Sequence, residues 1–520
     1  MKHFGDYQTP ISLVEKVYNI LDSKGISFKH ILEPTVGQGN FLIEGINRNP
    51  SLNSVVGIEI QEYYVNILKK RIEDEKLKDT LEVSIINDSF FNCNLKSLLK
   101  PETLIIGNPP WVTNSELGTI GSDNLPLKIN FKNHKGLDAL TGKSNFDIAE
   151  YILLSLLTSI DTYLTKSEGN IAFLVKKIVA TNILKNQKKR EWNITTFDIY
   201  NFDAKKEFNV SADACLVLIR TNEIGKKRVD TAQEFNIDSP HMKVNEFGWV
   251  KDKFVANVDA YVNSSVIDSD NTNESLFVWR SGIKHDASSI MELDYDKYSD
   301  RAISKTGDSF SISENNIYPL YKSSHIRKIT KDFYPTKSVI VTQKKVSEKT
   351  DDLKYTSPHV WEYLNKNAKK LDERKSSIYK GKPRFSIFGV GSYSFQKYKL
   401  AISGMYKESK FALIPPFKDK TVMVDDTVYF ISTDLEYEAY ILFGILNNAL
   451  IQDFLNSISF LGNKRPYTKD ILQRISLSKA IQYISLNQIN DLIREYGYSY
   501  KVTEEEFKIF YNKICSLTLF

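Results

Sequence analysis

The chain has 520 residues, 42% of them hydrophobic and 26% charged, with a formal net charge of +5. That length allows two to four domains of about 150 residues with sizeable cores, and the mild positive charge is compatible with a polyanionic partner without demanding one. Cys93, Cys215 and Cys515 stand too far apart for a disulfide framework or a Cys/His zinc site, and no apolar stretch approaches the roughly 18 residues of a membrane span. No leader pattern opens the chain, so a cytoplasmic protein in a reducing compartment, without metal or membrane, is expected.

Taken in order, Tyr7-Gln8-Thr9-Pro10 precedes an amphipathic run of Ile11, Val14, Val17, Tyr18 and Leu21. Pro10 in the first turn and Thr9 as N-cap predict a helix whose amino end either holds a ligand or is simply a capped surface terminus. Ile31 to Leu42 then reads as a strand, a Gly37-x-Gly39 turn and a helix start. The third glycine of a dinucleotide fingerprint and the Gly-Lys-Ser/Thr of a phosphate loop are both missing, which argues against a phosphate cradle. Val55 to Ile60 forms a second strand carrying Glu59, and Leu81 to Asp88 a third ending in Asp88. An acid about 20 positions beyond the glycine turn stands where a carboxylate holds a ribose diol.

A fourth apolar run, Thr103 to Gly107, ends at Asn108-Pro109-Pro110-Trp111. Neither proline can donate to a ladder or continue a helix, so a buried strand here delivers a rigid loop. That loop carries an acceptor amide, free carbonyls and a flat aromatic face, a set suited to a planar ring bearing an amino group; the plainer alternative is a proline turn with Trp111 as packing. Glu33, Glu59, Asp88 and Asn108 at four successive strand ends describe a parallel, doubly wound α/β sheet with polar groups along its carboxyl edge.

Gln8-Thr9-Pro10, Glu33-Pro34-x-x-Gly37-x-Gly39-x-Phe41-Leu42, Glu59, Asp88 and Asn108-Pro109-Pro110-Trp111, in that order, resemble the gamma class of amino-methylating DNA methyltransferases, which use S-adenosyl-L-methionine to methylate adenine N6. Asn145 to Glu150, Glu168 to Val175 and Phe208 to Ile219 look like the family's next helix, fifth strand and final hairpin. The resemblance implies a Rossmann-like class I methyltransferase domain over residues 1–235. It places Thr9 and Glu33 near the methionine end of the cofactor, with Gly37 and Gly39 lining its pocket. Glu59 would hold the ribose hydroxyls, Ile60 would lie against the adenine ring, and Asp88 would meet the adenine amino group. Asn108 and the Pro109 carbonyl would bind the target amino group, with Pro110 stiffening the loop and Trp111 and Phe208 enclosing the target ring. The polar stretch from Thr113 to Lys143 is longer than the family's minimal connection and is expected to be a mobile segment over the site, ordered by DNA.

Polar residues from Arg220 to Pro240 predict a linker, and residues 236–520 a second, mixed α+β domain, which the resemblance implies is the target-recognition domain. Strands are expected at Ser338 to Thr342 and Thr427 to Ile431, with helices from about Asp434. Arg374 to Lys399 holds seven basic residues, no acids and six aromatics, a composition that suits phosphate neutralisation and also describes a half-buried strand. Arg374, Lys375, Lys380, Lys382 and Arg384 are therefore candidate DNA contacts; Lys464 to Lys469, through Lys464 and Arg465, and Ser281 to His285 are weaker ones, with His285 a polar contact rather than a metal ligand.

The expected function is a site-specific adenine-N6 methyltransferase acting on double-stranded DNA, paired with a restriction endonuclease or standing alone. Methylation of RNA, of cytosine N4 or of a protein glutamine amide remains open, as does a DNA-binding specificity protein with an inactive cofactor fold. Carbon-5 methylation would need a Pro-Cys nucleophile, and no cysteine here follows a proline. A fused nuclease is not expected, since the cofactor motifs begin by residue 10.

Overall fold

The computed structural model describes residues 7–75, 80–112, 147–165, 167–269 and 276–515. The stretch from Thr113 to Lys143 lies outside them. The chain forms two units, Met1–Val258 and Asp259–Phe520.

The first unit is built on a ten-stranded sheet in the order Lys253–Val255, Asn245–Val250, Thr231–Asn236, Ile194–Asp203, Asp213–Thr221, Gly169–Lys176, Thr103–Gly107, His30–Glu33, Ser54–Glu59, Glu82–Asn87. β1 (His30–Glu33), β2 (Ser54–Glu59), β3 (Glu82–Asn87), β4 (Thr103–Gly107) and β5 (Gly169–Lys176) are mutually parallel. β7 (Asp213–Thr221) runs antiparallel between β5 and β6 (Ile194–Asp203). This is the α/β, Rossmann-like arrangement that the strand-helix alternation predicts. All five residues of β4 are buried, which explains their unbroken apolar character in a strand covered on both faces.

α1 (Ile11–Ser23) buries Leu13, Val14, Val17, Tyr18, Ile20 and Leu21, the stripe expected of a helix on a sheet. Its start differs from the prediction. Pro10, extended at ψ 141°, is the N-cap, without a side-chain cap bond, and the Pro10 carbonyl accepts from the Leu13 and Val14 amides. Thr9 is buried one position earlier instead of capping. α2 (Asn40–Arg48) and α3 (Glu62–Asp74) follow β1 and β2, and α4 (Leu95–Leu98) precedes β4. α5 (Ile148–Tyr163), α6 (Lys177–Arg190) and α7 (Ala204–Phe208) come after it.

The stretch from Arg220 to Pro240, expected to be a linker, carries a further strand of the same sheet. β8 (Thr231–Asn236) pairs parallel with β6, β9 (Asn245–Val250) pairs antiparallel with β8, and β10 (Lys253–Val255) closes the edge. The division therefore falls after Val258, beyond the expected boundary at 235. Ala232 and Phe247 are fully packed, so the polar residues around them belong to a half-buried edge.

The second unit is mixed α+β, with a four-stranded sheet around Tyr398–Ser403 and Val428–Thr433 and a six-stranded sheet around Lys337–Ile340. Helices Glu436–Leu446, Ala449–Ile458, Leu486–Glu495 and Glu504–Cys515 follow, close to where the sequence places them. Among the described residues, no single helix is long and apolar enough to cross a membrane.

Candidate functional site

Parallel strands bring their carboxyl ends to one edge, and side chains or backbone at those ends line a cavity of about 960 Å³ counted to its open mouth. Thr9, Glu33, Gly37, Glu59, Ile60, Asp88, Asn108 and Pro110 all line it. Tyr7 and Asn108, 101 positions apart, thus come together because the fold, not the sequence, makes them neighbours.

Glu33 is 3% exposed, and its Oε2 accepts from the Leu42 amide in the first turn of α2 at 3.1 Å. Burial holds its carboxyl well above the usual range, opposed by that amide and reinforced by nearby Glu59. Glu59 closes β2 with both oxygens engaged: Oε2 accepts from Gly37 N and Oε1 from Gln61 N, each at 2.9 Å. Gly37 has φ 52°, and a Cβ there would sit 2.8 Å from the Gln8 side chain; only glycine fits without displacing Gln8. Asp88, exposed just past β3, accepts from Ser89 N and Asn92 Nδ2.

Gly39 is placed differently from the expectation. It adopts φ 78° as the N-cap of α2, and a Cβ there would meet Leu68 at 2.3 Å. Its role is helix packing rather than the cavity wall.

The Asn108 amide is set by its surroundings. Nδ2 donates to the Tyr7 carbonyl at 3.3 Å, while Oδ1 is buried at the cavity without a hydrogen-bond partner. Thr35 Oγ1 is likewise buried, unpartnered and at the same wall. A buried acceptor left unpaired costs about 1–3 kcal/mol, and both atoms are open to a hydrogen bond from a group in the cavity.

Trp111 departs from the expected ring-stacking wall. It is 7% exposed, within the main core cluster, and its Nε1 donates to the Leu174 carbonyl at 3.1 Å. Phe208, half-buried, meets it edge-on at 5.4 Å, and Tyr7, 38% exposed, lies 6.0 Å from Phe208. Of these rings Tyr7 lines the cavity with Asn108, while Phe208 lies outside the lining and packs against Tyr7 and Trp111.

No family model matches the sequence. The type II methyltransferase M.NspV of Nostoc sp. is 39% identical over 480 residues, spanning 91% of this chain and 96% of its own. The chain belongs to the type II methyltransferases of restriction–modification systems. The type IIL restriction–modification enzyme MmeI, solved in complex with DNA, superposes over 97% of this chain and 73% of its own, with a TM-score of 0.56 and 13% identity; the shared fold therefore extends through both units.

The cofactor of this type II methyltransferase is S-adenosyl-L-methionine. The chemistry of the cavity fits it: Thr35 Oγ1 is buried there without a hydrogen-bond partner, the Gly37 turn leaves room for close backbone approach, and the carboxylates of Glu59 and Asp88 at the wall would accept from the cofactor's hydroxyl and amino groups. Among the described residues, no group of three or more His, Cys, Asp or Glu could hold a metal ion.

In the second unit the basic tract is only partly a free surface. Arg374 spends its guanidinium on the carbonyls of Leu371, His285, Ser386 and Arg384 and stacks on Tyr379 at 3.8 Å; it staples a loop. Arg384 is paired with Asp372, 2.6 Å at the shortest contact. Lys375 and Lys380 are placed at the surface, Lys375 exposed and Lys380 beside a turn; Lys382 is exposed with a bond to Ser347. Lys464 and Arg465 stand in the loop after Ala449–Ile458. His285 Nδ1 accepts from Ala287 N and its Nε2 lies 3.5 Å from Glu292, a polar contact. Burial would raise the Glu292 carboxyl, but His285 and Lys322 outweigh it and bring it down to about 2.

Sequence reasoning missed Tyr7 and Thr35 as cavity residues. Thr35 lies inside the Glu33–Gly39 motif and was within reach; Tyr7 becomes visible only once its carbonyl is seen on Asn108.

Proposed function

We propose that this enzyme transfers the methyl group of S-adenosyl-L-methionine to the N6 amino group of an adenine in a specific duplex DNA sequence, and that the mark protects the DNA from a cognate restriction endonuclease. The observation that carries this reading is the Asn108 amide, with its N–H held by Tyr7 and its buried Oδ1 unpartnered at the cavity wall. An amide held that way is an acceptor for an incoming amino group. The MmeI relative was solved on DNA, which supports duplex DNA as substrate here.

Bound S-adenosyl-L-methionine supplies a methyl group already activated on a sulfonium, so no protein nucleophile is required. Asn108 Oδ1 and the Pro109 carbonyl accept both amino hydrogens, which favours a tetrahedral nitrogen with its lone pair freed from the ring. That interaction strengthens toward the transition state and so raises turnover. Thr9 and Glu33 bind the methionine end, Glu59 the ribose hydroxyls and Asp88 the adenine amino group, with Ile60 against the adenine ring. A base inside a duplex cannot reach the cavity, so it is turned out of the helix at a cost of a few kcal/mol, and Tyr7, backed by Phe208, supplies a face to receive it. The second unit acts as the target-recognition domain, meeting phosphates through Lys375, Lys380, Lys382, Lys464 and Arg465.

Nucleoside analysis of duplex DNA methylated by the wild-type enzyme and by Asn108→Ala tests the reading. We expect N6-methyladenine from the wild type and a turnover lower on the order of 100-fold in the variant, by analogy with loss of one preorganised hydrogen bond, with cofactor affinity retained. Product found only as N4-methylcytosine overturns the adenine assignment. An unchanged rate in Asn108→Ala overturns the role of the amide.

A further inference from the structure

We infer that Lys176 and Asp147 form a charged clasp that positions the Asn108–Trp111 loop against the amino end of α5; the inference rests on the cavity being the site of methyl transfer. Lys176 is the last residue of β5. Its ammonium donates to the Trp111 carbonyl at 2.7 Å and to Asp147 Oδ2 at 2.9 Å. Asp147 Oδ1 accepts from Ala149 N at 3.1 Å, so the same carboxylate caps α5. Beside it the Ile148 amide donates to the Val112 carbonyl at 3.0 Å. Three elements that meet nowhere in sequence are thereby tied at one nitrogen.

A lysine at the end of a buried strand ordinarily sends its charge to water along a flexible stem. Lys176 instead keeps its side chain 25% exposed and its partner 10% exposed, in charge-assisted bonds that are stronger than neutral ones. The adjacent Lys177 turns to Glu234 on β8, so the two neighbouring lysines serve opposite sides of β5. The consequence for the cavity follows from the loop's stiffness. Pro109 and Pro110 fix two backbone torsions, so holding the Trp111 carbonyl holds Asn108. Ile148 and Ile152 of α5 line the same cavity as Asn108, and the clasp sets the separation between them. Displacements of an ångström at such a site can cost about 100-fold in rate.

The test uses the full chain with Lys176→Met, Lys176→Arg, Asp147→Asn and the Lys176→Met/Asp147→Asn pair. We expect Lys176→Met to lower single-turnover methylation at least tenfold while S-adenosyl-L-methionine affinity stays within twofold, Lys176→Arg to recover most of the rate, and the pair to be no slower than its slower single variant, as members of one unit behave. We also expect faster hydrogen exchange at the Ile148 amide in Lys176→Met. Wild-type turnover in Lys176→Met, or rate and cofactor affinity lost together with no recovery in Lys176→Arg, overturns the clasp. If the wild type methylates no duplex, the functional reading fails, and exchange at Ile148 still decides whether the clasp exists: unchanged protection there removes it.

Discussion

At position 111 the indole N–H is spent on the Leu174 carbonyl and the ring lies in the main core, so this side chain acts on the cavity through packing. Trp111→Ala is expected to cost about 3–5 kcal/mol of stability, as for other large aromatic truncations in a core, measured by denaturant titration. Its loss of methylation is expected to persist when the target base faces a mismatch, because weakening the duplex does not restore a missing core ring. Relief by the mismatch would show instead that the indole stabilises the extruded base. The tetrapeptide was legible as a rigid loop because two prolines leave the backbone few options. Which way its aromatic points was not, since packing in the core and stacking on a ligand place the same demand on residue type. Gly39 carries the same lesson: a glycine pair reads as close approach to a ligand, and only the structure reveals that Gly39 makes room for Leu68 of α3, away from the cavity that Gly37 lines.

Among the elements, strands at fully covered positions were the clearest. Thr103–Gly107 matches the predicted run residue for residue, because an apolar stretch bounded by Pro101 and Pro109 has no competing assignment. The basic tract was the least clear. Charge along the chain does not distinguish an arginine that binds phosphate from one that satisfies four backbone carbonyls, and Asp372, which neutralises Arg384, lies 12 positions away. Arg374→Ala is accordingly expected to lower thermal stability and leave the salt dependence of DNA binding unchanged. Removing the charges of Lys380 and Lys382 should instead reduce the slope by about 0.9 for each phosphate no longer neutralised. Filter binding across a salt series compares them; a reduced slope in Arg374→Ala alone would return that residue to the DNA surface.

The strand Tyr398–Ser403 carries a buried lysine. Lys399 is 1% exposed, with Nζ donating to the Gln396 carbonyl and to Thr421 Oγ1, and burial pushes its ammonium down to about 7. Between that value and the unfolded-chain value of about 10.4, the unfolded state binds the proton and the native state does not, so stability rises with pH across this window. Below pH 7 the penalty is complete, at roughly 1.4 kcal/mol for each tenfold loss of proton affinity on folding. Lys399→Met, which leaves Thr421 bonded to Gln396, is therefore expected to stabilise the protein most below pH 7, with the gain shrinking toward pH 10. Urea titrations at pH 6 and pH 9.5 check the difference. An equal effect at both would show that Lys399 keeps its charge in the fold.

For the whole molecule the informative position is the end of the first unit. A drop in apolar content near residue 235 resembles a linker because β8 to β10 form a half-exposed edge, where alternate positions are polar. The structure makes them part of the sheet: Ile237 joins the main core, Lys16 of α1 pairs with Asp238 at 2.6 Å, and Asn245 donates to Glu234. At Gly248 the β9 backbone comes so near β8 that a Cβ would lie 2.5 Å from the Asp230 carbonyl, an approach that only glycine permits. A fragment ending at 258 should therefore fold and bind S-adenosyl-L-methionine with the affinity of the full chain, while losing sequence-specific DNA binding with the second unit. A fragment ending at 235 keeps every cofactor residue yet strips β8 of its antiparallel neighbour, exposes its unpaired edge and removes the Lys16 contact. Open edges of this kind pair with other chains, so aggregation or a much lower unfolding midpoint is expected in circular dichroism and size-exclusion measurements. Equal midpoints for the two fragments would mean that β9 and β10 are an appendage and that the catalytic unit closes at 235 after all.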